Sequence, residues 1–327
     1  MRRRGPWVPR RPCPQPVLLL DRPSRAKLVL AFLAIYLVWG STYLAIRYAV
    51  EDLPPFLMAG GRFTVAGGLL WLLARARGAP MLSRKDLGVA VASGALMLLG
   101  GNGAVVWAEQ WVQSGSAALL VAVVPLWMVL LDWGSGGGRP SWRTALGLLM
   151  GFVGVGLLLG APEMSTRAER LGGAVILLGT VSWALGSIHV RRWSGSANGT
   201  MAAACQMLAG GGLMLLAGVA GGEWSQLRLG DVSGRAWVSF VYLVLAGSVL
   251  AYSAYLWLIR VTTVTRVSTY AYVNPAVAVL LGAGFAGEVI TPMGGLAALV
   301  IVLAVALILA GSGRAGPRAV TRIRSPS

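Results

Sequence analysis

Ten stretches of the chain stay apolar for about 20 residues each, the length an α-helix needs to cross a hydrocarbon core of about 30 Å. They fall at 28–47, 55–74, 87–107, 114–132, 142–160, 171–190, 200–219, 236–258, 265–286 and 292–311. The polar residues between them form short connections. The longest, near Gly221–Arg235, holds glycine, serine and charges and reads as a loop. The pattern predicts an all-α membrane protein of ten transmembrane helices, with no room for a soluble domain.

Composition agrees. Of 327 residues, 56% are hydrophobic and 12% charged, more apolar surface than a soluble domain can hide. The formal charge of +17 raises the question of nucleic acid, but the arginines sit in tails and short loops, which argues against that partner. Their distribution orients the chain instead. Of the 28 Lys and Arg, 22 lie in the tails and in the loops after even-numbered spans. Arg47, Arg167, Arg170, Arg228 and Arg235 lie on the other side, as do eight of the eleven acids, and Arg62 lies inside the second span. The positive-inside rule then places both termini in the cytoplasm of a cell with the protein in its inner membrane. Residues 1–26, rich in Arg and Pro with only Pro16–Leu20 apolar, read as a disordered basic tail, not a secretory signal, and 313–327 as a second cytoplasmic tail. Cys13 and Cys205 match no metal or disulfide spacing and read as free thiols.

The chain repeats itself. Trp107 to Pro125 and Trp257 to Pro275 have the same spacing, offset by 150 residues, and Trp39 and Trp183 are offset by 144. On the latter offset Arg62 meets Gln206. Five spans per repeat make oppositely oriented halves, 27–161 and 170–312, an architecture of secondary transporters with the substrate site between the halves.

The stretches Trp39-Gly-Ser-Thr-Tyr43, Gly61-Arg62-Phe63, Gly101-Asn102-Gly103, Val124-Pro125 and Tyr272-Val-Asn274-Pro275 resemble the EamA family of the drug/metabolite transporter superfamily, over roughly 28–312. The resemblance implies a ten-helix inverted-repeat fold and movement of small metabolites, amino acids or drugs. The loop Gly134–Arg139 departs from the repeat, lacking a counterpart of Gly287-Glu288.

Several polar or aromatic residues inside the spans are candidates for the path: Trp39, Ser41, Tyr43, Arg62, Asn102, Trp183, Gln206, Tyr252, Tyr255, Tyr270 and Asn274. Arg62 lies about 12 Å deep, where a charge must face a cavity, meet a partner or snorkel to Glu109 or the headgroups. The nearest acids, Glu109, Asp132 and Glu288, sit at span ends, so no intramembrane carboxylate is expected to drive coupled transport. Asn102 and Asn274 either line a cavity or bond neighbouring helices. The aromatic residues either line the cavity or pack. Pro125 and Pro275 free backbone carbonyls at matching places and are hinge candidates. Glycine stripes such as Gly147-x-x-x-Gly151 suit close packing within the chain and leave a homodimer open. The lone His189, beside Arg191, reads as a surface residue.

The expected partners are a small-molecule substrate and the lipid bilayer, with no cofactor and no metal. The reading is an alternating-access secondary transporter, not an enzyme. The alternative is a membrane-embedded enzyme acting on a lipid-linked substrate, for which no paired carboxylates lie within the spans.

Overall fold

The computed structural model describes residues 24–134, 139–192, 198–262, 264–267 and 269–312. The expected basic tails, Cys13 and the glycines 136–138 fall largely or wholly outside these. Among the described residues the chain is helical throughout, without a strand. Nine helices are long and apolar enough to cross a membrane: α1 Arg25–Val50, α2 Pro55–Ala76, α3 Arg84–Ala108, α4 Ser114–Leu131, α5 Trp142–Leu159, α6 Arg167–Val190, α7 Gly199–Ala220, α8 Gly234–Val261 and, after a shorter α9, α10 Pro292–Ala310.

α9, Tyr270–Phe285, has 16 residues, shorter than the expected span 265–286. Thr262 is extended and residues 264–267 form a separate helical turn, so the continuous helix starts later. It still runs beside α1 for much of the bundle's depth. Thr269 bonds the Tyr36 hydroxyl at 2.5 Å at one end, the near end, where α1 begins. At the other, the far end, the Phe285 carbonyl accepts from the Tyr48 hydroxyl at 2.6 Å.

The most extensive helix contacts pair α2 with α7 and α5 with α10. Glycines let the α2 and α7 backbones touch. A Cβ on Gly60 would stand 2.7 Å from Leu215 N, and one on Gly211 would stand 2.7 Å from Thr64 N. In a bilayer, where lipid tails compete equally for apolar side chains, such close approach supplies the packing energy that holds helices together.

Seven described helix starts carry their own side-chain caps, from Ser24, Ser83, Ser141, Thr166, Asn198, Ser233 and Thr291. The far-end starts of α2 and α4 have none. Two glutamates serve them across the bundle. Glu223 accepts from Phe56 N and Leu57 N at 3.2 and 2.9 Å, and Glu288 from Ser114 N and Gly115 N at 2.7 and 3.1 Å. A carboxylate there satisfies orphan amides and meets the positive end of the helix dipole. Each glutamate follows a glycine with positive φ, Gly222 at 78° and Gly287 at 64°, which turns the chain back after α7 and α9.

Candidate functional site

Three helices depart from α geometry at mid-bundle. α1 contains a π segment at Ala34–Val38, α3 at Ala95–Asn102 and α8 at Leu243–Tyr252. Wider turns leave backbone carbonyls unpaired within the helix and gather at functional sites. In α1 the freed carbonyls find a side chain: with its amide nitrogen turned toward them, Asn274 donates to Ile35 O and Tyr36 O at 3.0 Å each. The other two segments end at Asn102 and Tyr252, positions related by the 150-residue offset.

These helices surround a cavity of about 660 Å³, a volume that includes the open space at its mouth. α1 contributes Trp39, Thr42 and Tyr43, and α2 contributes Arg62 and Phe63. α3 adds Gly101, Asn102 and Val105, and α4 adds Val121 and Val124. The rest is Gly179, Thr180 and Trp183 of α6, Gly247 and Tyr252 of α8, and Tyr270 and Asn274 of α9. Members of the paired helices α5, α7 and α10 contribute nothing to the wall.

Arg62 is 2% exposed, so it does not snorkel. Its Nε donates to Ser248 Oγ at 2.7 Å, while Nη1 has no hydrogen-bond partner among the described residues. Gly247 makes room, since a Cβ there would fall 2.9 Å from Arg62 Nη2. Asn102 Oδ1 and the Tyr252 hydroxyl are likewise buried and unpartnered. Buried polar groups in proteins are normally satisfied, so a guanidinium donor, an amide acceptor and a hydroxyl left open around one cavity mark a place for a polar ligand. Aromatic rings adjoin these groups. Trp39 lies 5.0 Å from Tyr255, 5.6 Å from Tyr270 and 5.8 Å from Trp183, ring centre to ring centre. Its Nε1 donates to Gly247 O at 3.2 Å.

Eight of the eleven residues picked from the sequence therefore line the cavity. Three do not. Ser41 points away from the Trp39 face and bonds the Tyr242 hydroxyl at 2.6 Å, because a two-residue step turns a helical side chain to the opposite side. Gln206 is buried on α7 with Nε2 3.3 Å from Met97 Sδ, since α7 packs behind α2 and never reaches the cavity. Tyr255 lies beneath the Trp39 ring and bonds Ser187 at 2.9 Å. Pro125 stands where α4 restarts after a break at residues 122–123, whereas Pro275 lies inside the continuous α9.

Thr42, Phe63, Thr180 and Ser248 join the site without having stood out in the sequence. Thr42 and Phe63 sit inside stretches already singled out for their resemblance, and Ser248 lies one turn before Tyr252. Glu109, expected at a span end, is 0% exposed, although it does not line the cavity. The turn after α3 is tied to α1 by Arg47 Nη1, which donates to Glu109 O and Val112 O at 3.3 and 3.4 Å.

A helical bundle around a cavity that combines unpartnered polar groups with a cluster of aromatic rings suits a small-molecule carrier. The chain belongs to the EamA-like transporter family, which it matches over residues 26–160 and 170–310. It is a multi-pass membrane transporter. It is 40% identical over 284 residues to the uncharacterized inner membrane transporter YedA of Escherichia coli (strain K12), covering 86% of this chain and 90% of that one. It is 25% identical over 275 residues to a probable terminal-alkyne amino-acid exporter of Streptantibioticus cattleyicolor, covering 82% of this chain and 88% of that one. One crystal structure shares the fold with a TM-score of 0.61 at 23% identity, covering 86% of this chain and 97% of that chain.

Proposed function

We propose that this protein is a secondary transporter of the inner membrane that carries small metabolites with an anionic group, amino-acid-like or drug-like, by alternating access. The observation that carries the substrate class is the buried Arg62, which lines the cavity and whose Nη1 has no hydrogen-bond partner among the described residues. A guanidinium out of water needs an anion or several acceptors, and a carboxylate fits its paired donors. The name of the Streptantibioticus relative, an amino-acid exporter, points the same way.

In this reading the halves are inverted repeats, both termini face the cytoplasm, and no chemical conversion of the substrate is involved. The Asn102 and Tyr252 equivalence supports the repeat. The break before Pro125 and the helix-interior Pro275 are the flexing points, both next to cavity residues. The test is a thermal-stability screen of the purified protein against amino acids, their esters and decarboxylated amines, followed by uptake into proteoliposomes. A ligand that binds only the native state raises the melting midpoint. The carboxylates should do so, the esters and amines should not, and Arg62→Gln should abolish the shift. Stabilisation by amines alone would overturn the anionic assignment.

A further inference from the structure

Glu109 follows the last residue of α3 and is fully buried, with neither carboxylate oxygen hydrogen-bonded among the described residues. Asn102, Val105 and Glu109 are spaced i, i+3 and i+7, so they share one face of the helix. Asn102 and Val105 line the cavity, which places Glu109 on the same stripe, about 10 Å nearer the far end than Asn102. The titratable and charged groups that act on it are Tyr43 and Arg47 of α1, Arg62 of α2, and Glu288 from the turn before α10. Arg47 is occupied by two backbone carbonyls and Glu288 by the amides of α4. No group therefore compensates a charge on Glu109 by direct contact. A carboxylate removed from water without hydrogen bonds is disfavoured against its neutral acid.

We propose that Glu109 is a proton-binding site linked to the cavity, which takes up a proton as the substrate's anionic group arrives at Arg62 and releases it as that group departs. The step is the simple addition of H⁺ to the carboxylate, forming an O–H bond. The proton comes from, and returns to, the water on whichever side the cavity faces. Arg62 is the link. While Glu109 is ionised, its charge and the substrate's compete for the same guanidinium field. Once Glu109 is neutral, that field is available to the substrate. Linkage is reciprocal, so a bound anion raises the proton affinity of Glu109 by the factor by which protonation raises the affinity for the anion. Proton and substrate travel together, and the loading of the cavity leaves its net charge unchanged.

The inference rests on the transporter reading and is tested with two measurements that separate them. Infrared spectra of the purified protein in detergent, titrated from mildly acidic to mildly alkaline pH, report the protonated carboxyl stretch. At neutral pH the band of the parental protein should grow when a mixture of amino acids is added, and Glu109→Gln should lack that response. Proteoliposomes are then loaded with a mixture of radiolabelled amino acids, and an external pH dye counts protons moved per substrate. The ratio should fall from about one to near zero in Glu109→Gln, and Glu109→Asp should keep the ratio while shifting the pH midpoint of uptake. The shift in Glu109→Asp is a response that a purely structural side chain would not give, and it serves even where Glu109→Gln folds poorly. An unchanged ratio in Glu109→Gln, or no growth of the protonated carboxyl band on adding amino acids, overturns the proton site and leaves the transporter standing. If the parental protein moves none of the label, the transporter reading falls and the linkage with it.

Discussion

Trp39 and Trp183 meet edge to face, with ring centres 5.8 Å apart and planes 80° apart. They lie in the two segments that match the family, 26–160 and 170–310, so the contact joins those segments at the cavity wall. Trp39 also touches Tyr252, Tyr255 and Tyr270. Trp39→Phe keeps a ring but loses the bond to Gly247 O, a change of about 1 kcal/mol in stability. Trp39→Ala removes the ring contacts as well and should cost about 3 kcal/mol or more. Thermal unfolding in detergent should rank parental, Phe and Ala in that order, and uptake should fall furthest in Trp39→Ala.

Arg62 separates charge from geometry. Arg62→Lys retains a cation but loses the planar fork, and Arg62→Gln removes the charge. A hydrogen bond to a charged group is worth about 1.5–3 kcal/mol, so substrate affinity should drop about 10- to 100-fold with Gln and less with Lys. Uptake by Arg62→Gln at the parental rate would remove the arginine from the substrate site.

Glycines at the α2–α7 seam differ sharply from their neighbours. A side chain on Gly211 meets Thr64 N at 2.7 Å and Gly60 O at 3.0 Å, while one on Gly212 meets nothing within 4 Å. Gly211→Val should lower stability by at least about 1–3 kcal/mol through overpacking, with a reduced membrane yield. Gly212→Ala should be neutral in the same assay.

Asp52, in the loop after α1, accepts from Ser233 N at 2.9 Å. The Ser233 side chain first, then its backbone amide, with Arg235 adding a smaller pull, hold this carboxyl below the usual aspartate range. A depressed value means the stabilisation is complete above the unfolded aspartate value, near 3.9, and lost as the pH falls through the lower folded value. Asp52→Asn should therefore melt below the parental protein at neutral pH. The gap should close as the sample is acidified below about pH 3.9. The adjacent Glu51–Arg235 ion pair is exposed and should matter little, because solvent screens it.

Orientation is open to reporter fusions. Fusions after Gly78, Arg139 and Arg192 should report the cytoplasm, and those after Glu51, Glu163 and Arg228 the opposite side. Reversal at two or more of these sites would overturn the proposed orientation.

Much of the helix layout was legible because a bilayer leaves a chain few options: the backbone must bond to itself, so long apolar runs become helices. Arg62 stood out for the same reason, as a charge that hydrocarbon does not tolerate alone. The rotation of each helix was less legible. Ser41 and Gln206 were polar residues in apolar runs, and nothing in their spacing revealed that one faces Tyr242 and the other Met97. The π segments add to this, since each wider turn rotates the remainder of its helix and changes the face it presents. The burial of Glu109 was hidden for another reason. Position along a span measures depth, but packing against neighbouring helices can take a residue at a span's end away from water. The pairings of Gly222-Glu223 with α2 and Gly287-Glu288 with α4 join distant segments, so no local pattern displays them.

Those two pairings bear on the order in which the protein is made. Both carboxylates belong to the later half of the chain, and both of the helix starts they satisfy belong to the earlier half. Leu57 waits for a residue 166 positions downstream, and Ser114 for one 174 positions downstream. At 5–20 residues per second, α2 and α4 spend about 10–30 s in the membrane with their leading amides open. The first half is thus a dependent fragment, completed only when the second half arrives to close it. Expressed alone it should be the short-lived member of the pair, and co-expression with the second half should rescue it.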